Sequence, residues 1–189
     1  MTQNANKEVL FSFFNRPIRN TFPARSVTFQ DVYEYITGDA AKERTLALRS
    51  LTDKDQADDY KAANFDYVTF GGTFTKRANA DLLVPSGHIC LDLDDVPNIR
   101  VFFEQLLLDD EFETALLFTS PSGTGLKWVV PIGTENFKYE DIFTAISRYL
   151  KATYGLIADK KCKDISRACF LPYDPDAYVN PQLLHDYAI

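Results

Sequence analysis

Residues 114–132, TALLFTSPSGTGLKWVVPI, hold two apolar runs separated by a turn of serine, proline and glycine. TALLFTS (114–120) and LKWVVPI (126–132) each read as a strand, and PSGTG (121–125) reads as the tight loop between them. A loop this short joins strands that run in opposite directions, because a parallel pair needs a crossover of a dozen or more residues. The segment therefore predicts a mixed or mainly antiparallel sheet and excludes a doubly wound parallel one.

Outward from this hairpin the pattern stays mixed. HICLDLD (88–94) reads as a strand, and NIRVFFEQLLL (98–108) reads as a helix with Pro97 near its first turn. YEDIFTAISRYLKATYG (139–155) is the clearest amphipathic helix, with Ile142, Ala145, Ile146, Tyr149 and Leu150 on one side and Gly155 as its stop. FDYVTFGGTFTKR (65–77) reads as two strand segments broken at Gly71-Gly72, and RACFL (167–171) as a last strand before proline-punctuated loops. Ahead of these come a strand in KEVLFSFFN (7–15), an irregular NRPIRNTFPARS (15–26), and helices in SVTFQDVYEYITG (26–38) and DAAKERTLALRSL (39–51). TDKDQADD (52–59) reads as a surface loop or a frayed helix start. The fold expected is α+β, with helices on one face of the sheet and the other face open for a ligand. It forms one domain over 1–189, a core at 65–189 flanked by a small αβ lobe at 1–64.

Composition narrows the classes. The 189 residues are 46% hydrophobic and 14% aromatic, enough for a sizeable core, and no window is apolar enough to span a membrane. The N-terminus lacks the pattern of a signal peptide, and three cysteines without C-x-x-C spacing argue against disulfides and a zinc knuckle. A reducing, cytoplasmic setting is expected. A net charge of −7 counts against non-specific coating of nucleic acid, though not against a local grip on it.

Three loci carry chemistry. In LDLDD (91–95) the alternation of a strand puts Asp92 and Asp94 on one face, with Leu91, Leu93 and Asp95 on the other. Two carboxylates so placed repel each other unless a divalent cation such as Mg²⁺ or Mn²⁺ joins them; the plain alternative is a strand end whose acids face water. In SPSGTGLK (120–127), Gly123 and Gly125 let backbone N–H groups face a phosphate, Ser120, Ser122 and Thr124 add hydroxyls, and Lys127 adds a charge. The plain alternative is an ordinary glycine-rich turn, since no Walker loop is present. In DKKCKDISR (159–167), Asp164 and Arg167 stand three apart, with Asp159 as a rival acid; a solvated loop with a salt bridge is the alternative.

As an ordered set, these loci resemble the archaeo-eukaryotic primase superfamily, and more closely the VirE N-terminal-like domains of bacterial mobile elements. GTFTKR (72–77) with Arg77, SPSGTGLK (120–127) and DISRACF (164–170) carry the likeness, which spans about 65–180. It implies an RRM-like catalytic core in which Asp92, Asp94 and Asp164 (or Asp159) hold two divalent cations for nucleotidyl transfer. Ser120, Ser122, Gly123, Gly125 and Lys127 would then position the triphosphate, and Arg167 and Arg77 would bind phosphate or template backbone. The implied partners are a nucleoside triphosphate, a DNA template and primer, and a fused or partnered helicase. Lys127 stands where the family's glycine-rich motif has a histidine, and His88 and His185 lie outside that motif. The substitution keeps two other readings open: a catalytically weakened module binding nucleotide or single-stranded DNA, and a different metal-dependent phosphotransferase or nuclease.

Overall fold

The computed structural model describes residues 8–133 and 138–184, so Lys7 of the first expected strand and His185 lie outside the described residues. Two four-stranded sheets and a two-stranded ribbon form, and every pairing is antiparallel. With the helices they make an α+β fold, as the hairpin predicts.

The first sheet is built from β1 (Phe11–Phe14), β2 (Arg25–Val27), β3 (Tyr67–Thr69) and β9 (Cys169–Phe170), in the order β2-β1-β3-β9. Strand β1 pairs with β3 through Phe13↔Val68, so residues from the first 64 share a sheet with later ones. The second sheet orders β10 (Tyr178–Val179), β7 (Leu116–Thr119), β8 (Leu126–Pro131) and β6 (His88–Leu93) as β10-β7-β8-β6. The ribbon pairs β4 (Gly72–Phe74) with β5 (Leu82–Pro85).

Alternation along β6 and β8 gives the second sheet two faces. Ile89, Leu91 and Leu93 with Leu126, Trp128 and Val130 point into a core shared with α4 (Ile99–Leu107) and α5 (Tyr139–Tyr154). Phe143, Ile146 and Leu150 form the buried stripe of α5, while Ala145 is exposed, so the helix is rotated from the expected face. The larger phenylalanine outweighs alanine in deciding which side packs. Trp128 donates its indole N–H to Thr114 Oγ1 at 2.8 Å, which satisfies a fully buried donor.

The other face of this sheet is not open. Leu116, Phe118 and Val129 meet Phe11, Phe13 and Val68 of the first sheet, together with Phe29, Val32 and Ile36 of α1 (Phe29–Thr37), in a second core. Thr28 and Asp31 form a reciprocal capping box at the start of α1. The expected ligand face is therefore a seam between two sheets, because the aromatic β1 and the stripe of α1 need an apolar surface to cover. Helix α2 (Lys42–Ser50) follows, and residues 54–64 form a third helix, α3 (Lys54–Asn64), capped by Asp53. No residue of α3 is buried, so its sequence carries no apolar stripe to announce it.

Candidate metal and phosphate site

The antiparallel ladder between β6 and β8 sets Asp92 directly opposite Lys127, on the face away from the helices. Their side chains form an ion pair that is 14% exposed at the acid and 10% at the lysine. Burial, the largest influence, pulls the lysine's pKa down, but the charge and hydrogen bond of Asp92, together with the nearby Cys169 and Cys90, outweigh it and raise the ammonium above its ordinary range. Asp92 Oδ1, the other oxygen, is buried and has no hydrogen-bond partner. A buried carboxylate oxygen without a donor is costly, and a bound cation or ordered water would relieve it.

After Leu93 the chain leaves the strand, and Asp95 takes a positive φ of 51°. Asp94 follows Asp92 on the same side and is exposed. Partial burial, then the neighbouring charge of Asp92, raise its pKa, and Asp159 adds to the effect. Asp159 arrives from another part of the chain. Its N–H donates to Asp92 O at 2.8 Å, and Ala158 bridges Leu93, so the backbone before the 3₁₀ turn Lys160–Lys163 is fastened to the acidic strand end. One carboxylate oxygen from each of Asp92, Asp94 and Asp159 lies within 4.8 Å of the others.

Asp164 stands outside this group. Its Oδ1 accepts from the Ser166 N–H and hydroxyl, both at 3.1 Å, closing the turn after Lys163. Of the two candidate third acids, Asp159 is the one brought to the pair, since the backbone bridge acts at 158–159 and not five residues later. Arg167 joins them from the start of RACFL, with Nη2 at 3.0 Å from Asp159 Oδ2 and a buried, unpartnered Nε.

The glycine-rich turn lies against the same strand end. Ser120 N–H donates to Gly125 O at 2.8 Å, Gly123 N–H to Ser120 O at 2.9 Å, and Val96 N–H to Thr124 O at 2.9 Å. A Cβ on Gly125 would stand 2.3 Å from Leu93 O and 3.3 Å from Asp94 Cα, so only glycine lets the two backbones approach. Ser120, Ser122 and Thr124 hydroxyls form a chain with 3.0 Å links. Arg49 of α2 holds the turn from behind, donating to Pro121 O at 3.2 Å and Ser120 O at 3.3 Å. The buried Asp174 accepts the Thr119 N–H at 2.6 Å beside it. Neither residue stands out in the sequence, since Arg49 is distant in the chain and Asp174 lies in a proline-rich stretch; an acid between two prolines was the only signal.

Other expected site residues have different work. Lys127 is spent on Asp92 rather than free to meet a phosphate at the turn. Arg77 donates to Ile18 O at 3.1 Å and lies over the Tyr67 ring at 5.1 Å, so its guanidinium braces the first sheet's edge.

Asp92, Lys127 and Arg167 border a crevice of about 10 Å³ that Cys90, Cys162 and Cys169 also line. That is close to the space of one water. Burial and the nearby Asp92 push the Cys162 thiol up to about 12, and the side chains that converge here are three carboxylates. An all-oxygen set of this kind suits a hard divalent cation.

No curated protein matches the sequence. Among solved structures, the polymerase domain of ligase D from Mycobacterium tuberculosis, in complex with DNA, is similar at a TM-score of 0.39 and 15% identity. The likeness covers 61% of this chain and 48% of that one, so the chain spans about half that structure's length. The profile of the BT4734-like, N-terminal domain matches residues 60–179, which include the acidic strand end, the glycine-rich turn and the stretch from Asp159 to Arg167. That match covers well over half of the sequence, and the chain belongs to the BT4734-like N-terminal domain family.

Proposed function

We propose that the chain is a metal-dependent nucleotidyltransferase domain of primase-polymerase type, akin to the VirE N-terminal-like domains. It would add a nucleoside triphosphate to a DNA primer in the replication of a mobile element or phage, fused to or partnered with a helicase. The observation that supports it best is the meeting of Asp92, Asp94 and Asp159 around a buried, unpaired Asp92 oxygen, beside a turn able to hold phosphate.

In this reading Asp92, Asp94 and Asp159 hold Mg²⁺ or Mn²⁺. The cation, when bound, withdraws charge from phosphoryl oxygens and lowers the pKa of an attacking hydroxyl. Lys127 and Arg167 temper the acids: three carboxylates against two paired cations leave one excess negative charge, which favours one tightly held divalent ion over two. The Gly123 and Gly125 N–H groups, expected to face a phosphate, instead donate to Ser120 within the turn, so the turn, kept in place by Arg49, orients the phosphates through the Ser122 and Thr124 hydroxyls. Arg167, which lines the crevice of Asp92 and Lys127, supplies a guanidinium to a phosphate oxygen once Asp159 turns to the cation.

The Lys127–Asp92 pair also favours a second reading, a nucleotide- or single-strand-binding module with weakened catalysis, because the ammonium competes with a cation for Asp92. Nucleotide incorporation on primed and unprimed templates with Mn²⁺ or Mg²⁺ separates the cases. Incorporation by the wild type and its loss in Asp92→Ala/Asp94→Ala supports the transferase; activity that survives the double change rejects it. Metal-dependent nucleotide binding without incorporation selects the binding module, and template cleavage selects a nuclease.

A further inference from the structure

The chain as a whole is acidic, yet two of its segments are purely basic. Residues 15–25, NRPIRNTFPAR, carry Arg16, Arg19 and Arg25 with no acid, and residues 75–80, TKRANA, carry Lys76 and Arg77 with none. The fold joins them. Arg77 N–H donates to Thr21 O at 2.8 Å, Ile18 N–H to Ala62 O at 2.8 Å, and the Tyr67 hydroxyl to Asn20 O at 2.5 Å. The loop is thus tied to α3, to the segment after β4 and, through the Tyr67 hydroxyl, to the first sheet.

We infer that this joined surface docks single-stranded nucleic acid, with Phe22 as a stacking platform for a base and Arg19 and Lys76 as phosphate contacts. Phe22 is 64% exposed, an unusual loss of apolar burial for so large a ring, and Lys76 Nζ lies 5.8 Å from its centre. Three cations of the strip have other partners: Arg16 pairs with Asp66, Arg25 lies over Phe13, and Arg77 braces Ile18 and Tyr67. Arg19 and Lys76 are exposed and have no acidic partner among the described residues. An exposed ring with Lys76 over one face, three positions along the loop from Arg19, matches the repeat of a single strand, in which each nucleotide offers one π-face and one phosphate. A duplex keeps its bases stacked inside, and an acidic peptide offers charge without the ring.

The surface leads toward the acidic site. Asn79, in the same segment as Lys76, accepts the Ser166 N–H at 3.2 Å, and the next residue, Arg167, holds Asp159. A strand laid across Phe22 and Lys76 thereby approaches Arg167. The inference rests on the nucleotidyl-transfer reading for its choice of nucleic acid as partner.

Fluorescence anisotropy with a fluorescein-labelled oligothymidylate, in chelator and low salt, tests it. Phe22→Ala weakens binding about tenfold and Phe22→Trp restores it, since base–aromatic stacking is the contact removed and returned. Arg19→Ala and Lys76→Ala each lower the slope of log affinity against log salt by about 0.7, as loss of one phosphate contact requires. Duplex DNA and polyglutamate compete weakly. Wild-type affinity in Phe22→Ala/Lys76→Ala, or equal competition by duplex or by polyglutamate, overturns the inference. Strip-dependent binding with no incorporation under any metal condition defeats the transferase reading and leaves this one standing.

Discussion

Lys127 and Asp92 occupy opposed positions of neighbouring antiparallel strands and neutralise each other inside the seam between the two sheets. Where a histidine was expected to meet a nucleotide, a lysine instead guards the acid that anchors the candidate cation site. Asp92 helps hold the ammonium's pKa above the ordinary lysine range.

Breaking that pair from one side leaves a largely buried carboxylate without its counter-charge. Lys127→Met destabilises the metal-free protein by about 3 kcal/mol. Millimolar Mn²⁺ returns part of the loss, because the ion takes the place of the ammonium at Asp92. Thermal melts with and without Mn²⁺ show both effects; a variant whose melting temperature ignores Mn²⁺ speaks against a cation at Asp92.

The two candidate third acids separate cleanly. Asp159→Asn weakens Mn²⁺ binding at least tenfold, since one of three converging oxygens loses its charge. Asp164→Asn leaves Mn²⁺ affinity unchanged and costs only the turn-closing bonds to Ser166, about 1 kcal/mol. Calorimetric titration with Mn²⁺ decides between them, and the reverse order would restore Asp164 to the site.

Asp94 makes stability depend on pH. Its folded-state pKa is raised by burial and by Asp92, so at neutral pH its charge opposes folding. The opposition fades as pH falls through the raised folded value toward the ordinary carboxylate pKa of about 3.9. Asp94→Asn is accordingly more stable than wild type near pH 7 without metal and equal to it below about pH 3.5. Saturating Mn²⁺ reverses the neutral-pH ranking. Urea titrations across pH measure this, and a neutral-pH advantage that persists in Mn²⁺ would remove Asp94 from the ligand set.

Two glycine substitutions test the contact between turn and acidic strand. Gly125→Ala drives a methyl into the Leu93 carbonyl and Asp94 backbone, and costs more than 2 kcal/mol along with the phosphate-binding geometry. Gly123→Ala meets only the Arg49 side chain at 3.1 Å, but strains a φ of +79° by about 1 kcal/mol. Denaturant unfolding ranks them; equal costs would mean that the close approach of the turn to Leu93 is not maintained in solution.

Local signals carried much of the fold. A short serine–glycine turn between two apolar runs requires an antiparallel hairpin, and the alternation in HICLDL requires Asp92 to face away from Ile89, Leu91 and Leu93. These rules act between near neighbours, so the chain states them directly. Helix α3 was legible only as a loop or a frayed helix start, because a solvated helix has no apolar period, and β2 and β10 escaped because strands of two or three residues give too little alternation to read.

What the amino-acid order determined by itself was the antiparallel class, the acidic pair and the glycine bend, each fixed by backbone geometry within a few residues. Tertiary structure alone chose Asp159 over Asp164, turned Lys127 onto Asp92, spent Arg77 on Ile18 and Tyr67, and closed the face that seemed open in one dimension. Those choices depend on which distant backbones bond and which apolar faces must be covered. Both are properties of packing that spacing along the chain does not encode.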